Sequence, residues 1–552
     1  MGHIPAAPKM WCDVPMLNGG GGRLQLVAAA HKEPAAALLG PVPPPQPPPP
    51  PQADRRLAWR RLRAELLVAG ACFLLTVVNG FPIGFSAVLL PQLRSNSSSL
   101  PTSDDMCSWI ASIHSAVTPL GALSSSWFSE RLGRRATLQL TVLPNVLGWL
   151  LLALARDHAV LLAGRAVCGF AVGLAVPPTQ VYLGETSEPR VRGMLAGSPM
   201  VSYSLAILVV YTLGSWLEWH TVAWINTALP LVALAAVSLV PESPVWLARN
   251  GRLEQARRAL TWLRGGRFAD PHEVEGELQE MVSRMHAEQA SVAAAARSGK
   301  ARPSLLQTFL QPRVYRPVLI VNLVNMTQIF SGTFMLIFYS VDLIREADEA
   351  GEVGVGGEFG AAVLTAAVRL AVAVLACALL LWLGRRPMAV GAGAATAAAA
   401  CAVAAVCRLR EARPPGRPAA PGEAPALVAC LLLYIAANTA GFFVLPIVAT
   451  GELLPARVRG IAGGYIYFFF NLVLFAVAKL FPVAVRAVGV SGVFWAFGAF
   501  SLLGTVLMYL AVPETKGRTL NEVEDYFDGE NALWVTRRKG SEFSNRRAAY
   551  KA

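Results

Sequence analysis

Arginines and glutamates that could pair occur in this chain twice, in the same order. Leu132-Gly133-Arg134-Arg135 recurs as Leu383-Gly384-Arg385-Arg386. Glu185, seven residues before Arg192-Gly193, recurs as Glu452 before Arg459-Gly460, and Pro241-Glu242-Ser243 recurs as Pro513-Glu514-Thr515. A charge at a membrane boundary is costly unless it is solvated or paired, so these sets invite an ion-pair reading over simple anchoring of span ends. The second set of candidates is amides in apolar stretches: Gln180, Asn325, Gln328, Asn438 and Asn471. Each can bond a solute's hydroxyls or a neighbouring helix, and both readings stand open. No nucleophile–base pair, metal cluster or cofactor loop with recognisable spacing occurs, and no phosphate-binding loop, so neither an enzyme nor an ATP-driven device is expected, and no metal or cofactor.

The elements that must position these residues are membrane helices. With 552 residues, 54% of them hydrophobic, and a mean hydropathy of +0.46, the chain is too apolar for an ordinary soluble domain. Crossing a hydrocarbon core of roughly 30 Å takes about 20 residues. Twelve such spans are expected, near 66–90, 106–128, 136–155, 159–182, 194–215, 220–240, 317–344, 359–383, 388–406, 426–451, 461–481 and 489–511. The fold class is therefore an all-α membrane protein, two six-helix halves at 61–240 and 317–511. Between them, 241–316 is expected to be a small helical cytosolic insert, since Arg249, Arg252, Arg257, Arg258 and Arg264 stand among helix formers. Residues 1–60, with Gly19–Gly22 and the proline run ending at Pro51, are expected to be a disordered tail, and 512–552 a second tail. No cleavable signal peptide is seen, so the first span is expected to direct insertion. Copied halves in a membrane chain place a small-solute site between the repeats near the bilayer midplane.

The net charge of +13 sits mainly in short loops and tails, which argues for membrane orientation and against nucleic acid. Both termini are then cytosolic, and the acidic loop from Arg345 to Phe359 is external. Arg408, Arg410, Arg413 and Arg417 would also lie outside and are an exception to the charge rule. Asn96-Ser97-Ser98 is a glycosylation acceptor in the first external loop, whereas Asn325-Met326-Thr327 falls inside a span and is expected to be unused. Cys72, Cys168, Cys377 and Cys430 lie inside spans and read as small core residues.

Taken in order, Glu130-Arg131-Leu132-Gly133-Arg134-Arg135, Gly164-Arg165 with Gly169, Tyr182-Leu183-Gly184-Glu185, Pro241-Glu242-Ser243-Pro244-Val245-Trp246-Leu247, Ser331-Gly332 with Tyr339, and Pro513-Glu514-Thr515-Lys516-Gly517 resemble the sugar porter branch of the major facilitator superfamily over about residues 60–525. Within it, Gly84 to Gln92 and Ser108-Trp109-Ile110-Ala111-Ser112 look like insect facilitated trehalose transporters. The resemblance implies facilitated transport of trehalose or a hexose by alternating access, at the plasma membrane. It implies one cytosolic cluster of Arg134, Arg135, Glu185 and Arg192 and another of Arg385, Arg386, Glu452 and Arg459, stabilising the outward-facing state. Alternatives are a porter of a non-sugar solute or a transport-inactive nutrient sensor. Leu381 stands where the second cluster would carry an acid, and Val245 replaces the usual arginine of its motif. Ile329, Phe334, Met200 and Ile447 are apolar where family members carry sugar-contacting polar or aromatic groups, leaving Gln328 the foremost candidate contact. Tyr339, Tyr465 and Tyr467 are candidates for an external gate or for helix packing. Residues 66–90 hold no acid, base or histidine, which favours a uniporter over a proton-driven porter.

Overall fold

The structure, a computed structural model of the chain, describes residues 51–95, 100–187, 192–297, 307, 309–339, 357–412, 423–455, 458–516, 518, 523–524, 526–527 and 534. Asn96, Arg413, Arg417 and the acidic loop from Arg345 to residue 356 lie outside them, as does the tail before Pro51. Among the described residues every regular element is a helix. The first half comprises α1 (Pro51–Arg94), α2 (Asp104–Leu132), α3 (Arg134–Leu140), α4 (Val142–Ala153), α5 (His158–Thr186), α6 (Arg192–Gly214) and α7 (Trp219–Ser238). Then come α8 (Pro244–Arg249), α9 (Leu253–Leu263) and α10 (Pro271–Arg297), followed by α11 (Pro312–Phe330), α12 (Thr333–Phe338), α13 (Gly357–Trp382), α14 (Arg385–Glu411), α15 (Glu423–Asn438), a π-helical turn (Thr439–Phe443), α16 (Leu445–Leu453) and α17 (Arg459–Ala511).

Each of the twelve expected spans overlaps a described helix. By length and composition nine described helices can cross a membrane, and one of these, Ile461–Ala511, runs 51 residues. Its backbone leaves helical geometry at Gly489, with φ of 72°, so that element is two helices joined at a kink. α2, rich in serine, and α11, short and followed by α12, fall outside the nine.

Apolar side chains face both ways, as lipid requires. Phe85, Trp149, Tyr434 and Phe442 are buried, whereas Leu143, Leu231, Leu375, Leu480 and Leu502 are exposed along the spans. In the first half α2 packs on α5, and α1 on α6 and α7; in the second α14 packs on α15 and α17, and α11 on α17. Two seams join the halves, α2 with α17 and α6 with α13. The repeat maps α2 onto α13 and α6 onto the first part of α17, so the two seams are the same contact made twice.

The insert carries its own ion pairs. Arg264 grips Glu277 through two bonds of 2.9 and 2.7 Å, Arg257 meets Glu275 at 2.9 Å, and Arg61 of α1 holds Glu273. In the last segment Val523, Phe527 and Trp534 are buried, with the Phe527 carbonyl accepting from Arg316 at 3.2 Å. Arg408 and Arg410, charged where the topology expects an external loop, pair with Glu411 at 3.5 Å and Glu423 at 3.2 Å. Each of these two charges thus has an acid beside it.

Candidate functional site: paired arginine clusters and a broken seventh span

The turn between α2 and α3 begins with Gly133, whose φ of 106° and tight surroundings suit glycine: an added Cβ would lie 2.4 Å from a Glu242 carboxylate oxygen. That carboxylate accepts the backbone N–H groups of Arg134 at 2.9 Å and Arg135 at 3.0 Å, neutralising the positive end of the new helix. The Arg134 side chain is thereby aimed across to α5. Its Nε and Nη2 reach Glu185 at 3.1 and 3.2 Å, Nη1 donates to the Ser129 carbonyl at 2.9 Å, and Nη2 reaches Glu130 at 3.1 Å. The Ser243 hydroxyl donates to Glu185 as well, while Arg135 donates to the Ser238 carbonyl at 2.9 Å.

The second half repeats this geometry. Glu514 accepts from the backbone of Arg385 at 3.0 Å and Arg386 at 3.1 Å, and a Cβ on Gly384 would meet it at 2.3 Å. Arg385 bonds Glu452 with Nε at 3.1 Å and Nη2 at 2.8 Å, and the Leu380 carbonyl at 3.0 Å. Thr515 donates to Glu452 as Ser243 does to Glu185, and Arg386 donates to the Tyr509 carbonyl at 2.7 Å. Leu381, where Glu130's counterpart would stand, is half exposed. The Arg134 side chain is 3% exposed and that of Arg385 16%, so the second cluster is wetter and has one acid fewer.

The structure thus brings together Arg134, Arg135 and Glu185, and Arg385, Arg386 and Glu452. Arg192 and Arg459 open α6 and α17, and their side chains lie outside the described set. Glu242 and Glu514, quoted in the motifs but given no role from sequence, cap both turns. Their signal was available: an acid conserved between the two copies, one residue before a hydroxyl.

At the end of the bundle away from these clusters, bonds cross between the halves. Lys479 of α17 bonds Asp105 and the Ser108 hydroxyl of α2, each at 2.7 Å, and lies 4.4 Å from the Trp109 ring centre. Across the other seam the Tyr211 hydroxyl of α6 donates to the Ile337 carbonyl of α12 at 2.6 Å. The Asp105 side chain is 80% exposed, which limits the ion pair to about 1 kcal/mol. Lys479→Ala is accordingly expected to raise labelling of cysteines placed in this end of the cavity by no more than about fivefold; unchanged labelling would mean that the Tyr211 seam suffices.

The seventh span is broken between α11 and α12, where Gly332 takes φ of 80°. Asn438 holds the break: its amide donates to the Ser331 hydroxyl at 2.9 Å and accepts from Thr333 at 2.6 Å, and Tyr434 donates to the Ser331 carbonyl. Asn471 donates to the Tyr467 carbonyl at 2.8 Å. Gln328 and Asn325 are buried and Gln180 half-buried, and their amides have no hydrogen-bond partner among the described residues. Asn322, Asn325 and Gln328 recur every three residues of α11, one polar stripe on one side of the helix; the first went unnoticed in the sequence. Ile329 and Phe334 are buried in the core, Phe334 packing edge-on against Phe470 with ring centres 5.5 Å apart. Met200 and Ile447 are half-buried beside the same core. Tyr339 stacks on Phe481 at 5.0 Å and donates to the Ala478 carbonyl at 3.2 Å, whereas Tyr465 is exposed.

Two arginines inside spans also escaped assignment. Arg165 is fully buried and every arm of its fork is bonded: Nε to the Ile110 carbonyl at 3.1 Å, Nη2 to the Ser86 hydroxyl at 2.6 Å, and Nη1 to the Pro82 carbonyl. It staples α1, α2 and α5 together. Arg369, in the middle of α13, is 4% exposed. Each is legible as a lone charge in an apolar run.

A model of the family described as "Sugar (and other) transporter" matches residues 68–527. The facilitated trehalose transporter Tret1 of Apis mellifera ligustica is 30% identical over 470 residues, 85% of this chain and 89% of the relative. Tret1 of Drosophila yakuba is 31% identical over 84% of this chain, which there spans about half of the relative, 52%. Among solved structures, the proton:xylose symporter XylE bound to 6-bromo-6-deoxy-D-glucose superposes with a TM-score of 0.68 at 18% identity, covering 85% of this chain and 100% of that one. Its inward-open form gives 0.63 over 84% of this chain. At such identity these two show the fold alone.

Proposed function

Since the chain belongs to the sugar transporter family, a multi-pass integral membrane protein on the major facilitator fold, we propose that it is a facilitative sugar carrier and not an enzyme. It moves trehalose or a hexose down its gradient by alternating access. The observation that carries this reading is the duplicated arginine–glutamate cluster, each copy within one half, placed opposite an end where bonds cross between the halves. Such an arrangement keeps each half rigid while the seams α2–α17 and α6–α13 rock, as alternating access requires. In this reading the cluster end and both termini face the cytosol, and the membrane is the plasma membrane.

The unpartnered amides of α11 support a hydroxyl-bearing solute. Asn325 and Gln328 have no side-chain partner among the described residues, and a sugar's hydroxyls could supply one on binding. Gln328 and Asn325 are the solute contacts we favour, with Gln180 of the other half a further candidate. Zero-trans uptake of radiolabelled trehalose and glucose into oocytes checks this. Saturable uptake, insensitive to a pH gradient and with KM raised roughly tenfold in Gln328→Ala, is the expected result. No uptake of either sugar by protein verified at the surface would overturn the trehalose or hexose assignment.

A further inference from the structure

Arg369 and Arg165 have nearly the same burial and opposite fates. Arg165 spends its whole guanidinium on two carbonyls and a hydroxyl from neighbouring helices. Arg369 has 4% of its surface accessible and, among the described residues, neither a hydrogen bond nor a carboxylate within ion-pair distance. It stands near the midpoint of α13 (Gly357–Trp382), about 18 Å from either end of that helix, where a lone cation is most costly. The Phe443 ring lies against it, 5.5 Å from the guanidinium carbon to the ring centre. Phe443 closes the π-helical turn Thr439–Phe443, a geometry that collects at functional sites. Tyr211 and Tyr434 lie within electrostatic reach, the first from the other half of the molecule. The cation is therefore at the α6–α13 seam between the halves, and the π-helical turn beneath it also packs against α11, the helix of Gln328 and Asn325.

The chemistry of the group points the same way. Ile329 and Phe334, close in the chain to the α11 amides, are apolar and buried, whereas the Arg369 guanidinium offers a fork of planar donors that matches a carboxylate two-for-two.

We propose that Arg369 is a binding residue for the anionic group of the solute, and that the preferred substrate class of this carrier is a sugar acid, a hexuronate whose carboxylate meets the guanidinium while its hydroxyls meet the α11 amides. The proposal rests on the reading of the chain as a sugar carrier and narrows it. Because the arginine stays with the protein in both directions, each hexuronate moved carries one net negative charge. Its uptake is electrogenic, and that of a neutral sugar is not.

The test uses purified full-length protein in proteoliposomes, with radiolabelled D-glucuronate, D-glucose and trehalose, for wild type, Arg369→Gln and Arg369→Lys. Expected are glucuronate uptake accelerated by an inside-positive potential, and a glucuronate-to-glucose uptake ratio that falls at least tenfold in Arg369→Gln with partial recovery in Arg369→Lys. Thermal protection of the purified protein by glucuronate, lost in Arg369→Gln, reads binding independently of transport. Glucose or trehalose uptake with no glucuronate uptake or protection would overturn this proposal and leave the sugar-carrier reading standing. Glucuronate uptake without either neutral sugar would support it and overturn the trehalose or hexose assignment. An unchanged ratio in Arg369→Gln, or protection by inorganic phosphate equal to that by glucuronate, would refute a sugar-acid site.

Discussion

Glu185→Ala is expected to lower stability by about 3 kcal/mol and to remove uptake almost entirely. Arg134 is 3% exposed and gives two of its bonds to Glu185; without that acid a buried cation keeps only the Ser129 carbonyl and the exposed Glu130. Breaking a buried pair from one side costs ~3–5 kcal/mol. The low end applies because Glu130 remains and the Glu185 side chain is 15% exposed. Glu452→Ala is the internal control. Its partner Arg385 is 16% exposed and Glu452 25%, so solvent offsets more of the loss, and about 1–2 kcal/mol is expected. Melting of the detergent-solubilised protein, followed by size-exclusion chromatography, measures both, and equal shifts would mean that burial does not rank the two clusters.

Arg165→Ala should be nearly as damaging, lowering stability by roughly 2–4 kcal/mol. The substitution leaves the Ile110 and Pro82 carbonyls and the Ser86 hydroxyl without their donor in a dry core and opens a cavity among α1, α2 and α5. Arg165→Lys keeps the charge but cannot reach three acceptors in a fork. It should therefore melt between wild type and alanine, with loss of uptake following loss of folded protein. If Arg165→Ala melts with wild type yet stops uptake, the residue acts in transport and not as a staple.

Both clusters are intact while Lys479 and Tyr211 tie the opposite end across the halves. The cluster bonds described here each join elements of one half, so closing the far end leaves them in place. Gating then falls to contacts across the seams, of which the Lys479 pair is a weak, exposed member. Substrate must supply the remaining bias through different affinity for the two states.

Hydropathy was enough to read an all-α membrane fold, because about 20 apolar residues make a span wherever they occur; the repeated motifs invited an ion-pair reading, and the family resemblance implied which arginines and glutamates would gather. The boundaries of the weakest spans were less legible. α2 is polar for a membrane helix, and the seventh span is interrupted at Gly332 by a network from α15 that no local pattern encodes. The pairing of polar side chains inside the spans was not legible. Gln328, Asn438 and Asn471 are all amides in apolar runs, yet Asn438 locks the broken helix, Asn471 bonds its own helix and Gln328 lacks a partner among the described residues. Arg165 and Arg369 look alike in sequence, and only the packing of distant helices gives one of them three acceptors and the other an aromatic face. The sequence by itself determined which segments are apolar enough for a membrane and which charges flank them, since transfer free energy is a property of the segment. Which buried polar groups are satisfied, and which have no partner among the described residues, only the tertiary structure decided, since a hydrogen bond in a dry interior needs a partner held within about 3 Å by another helix.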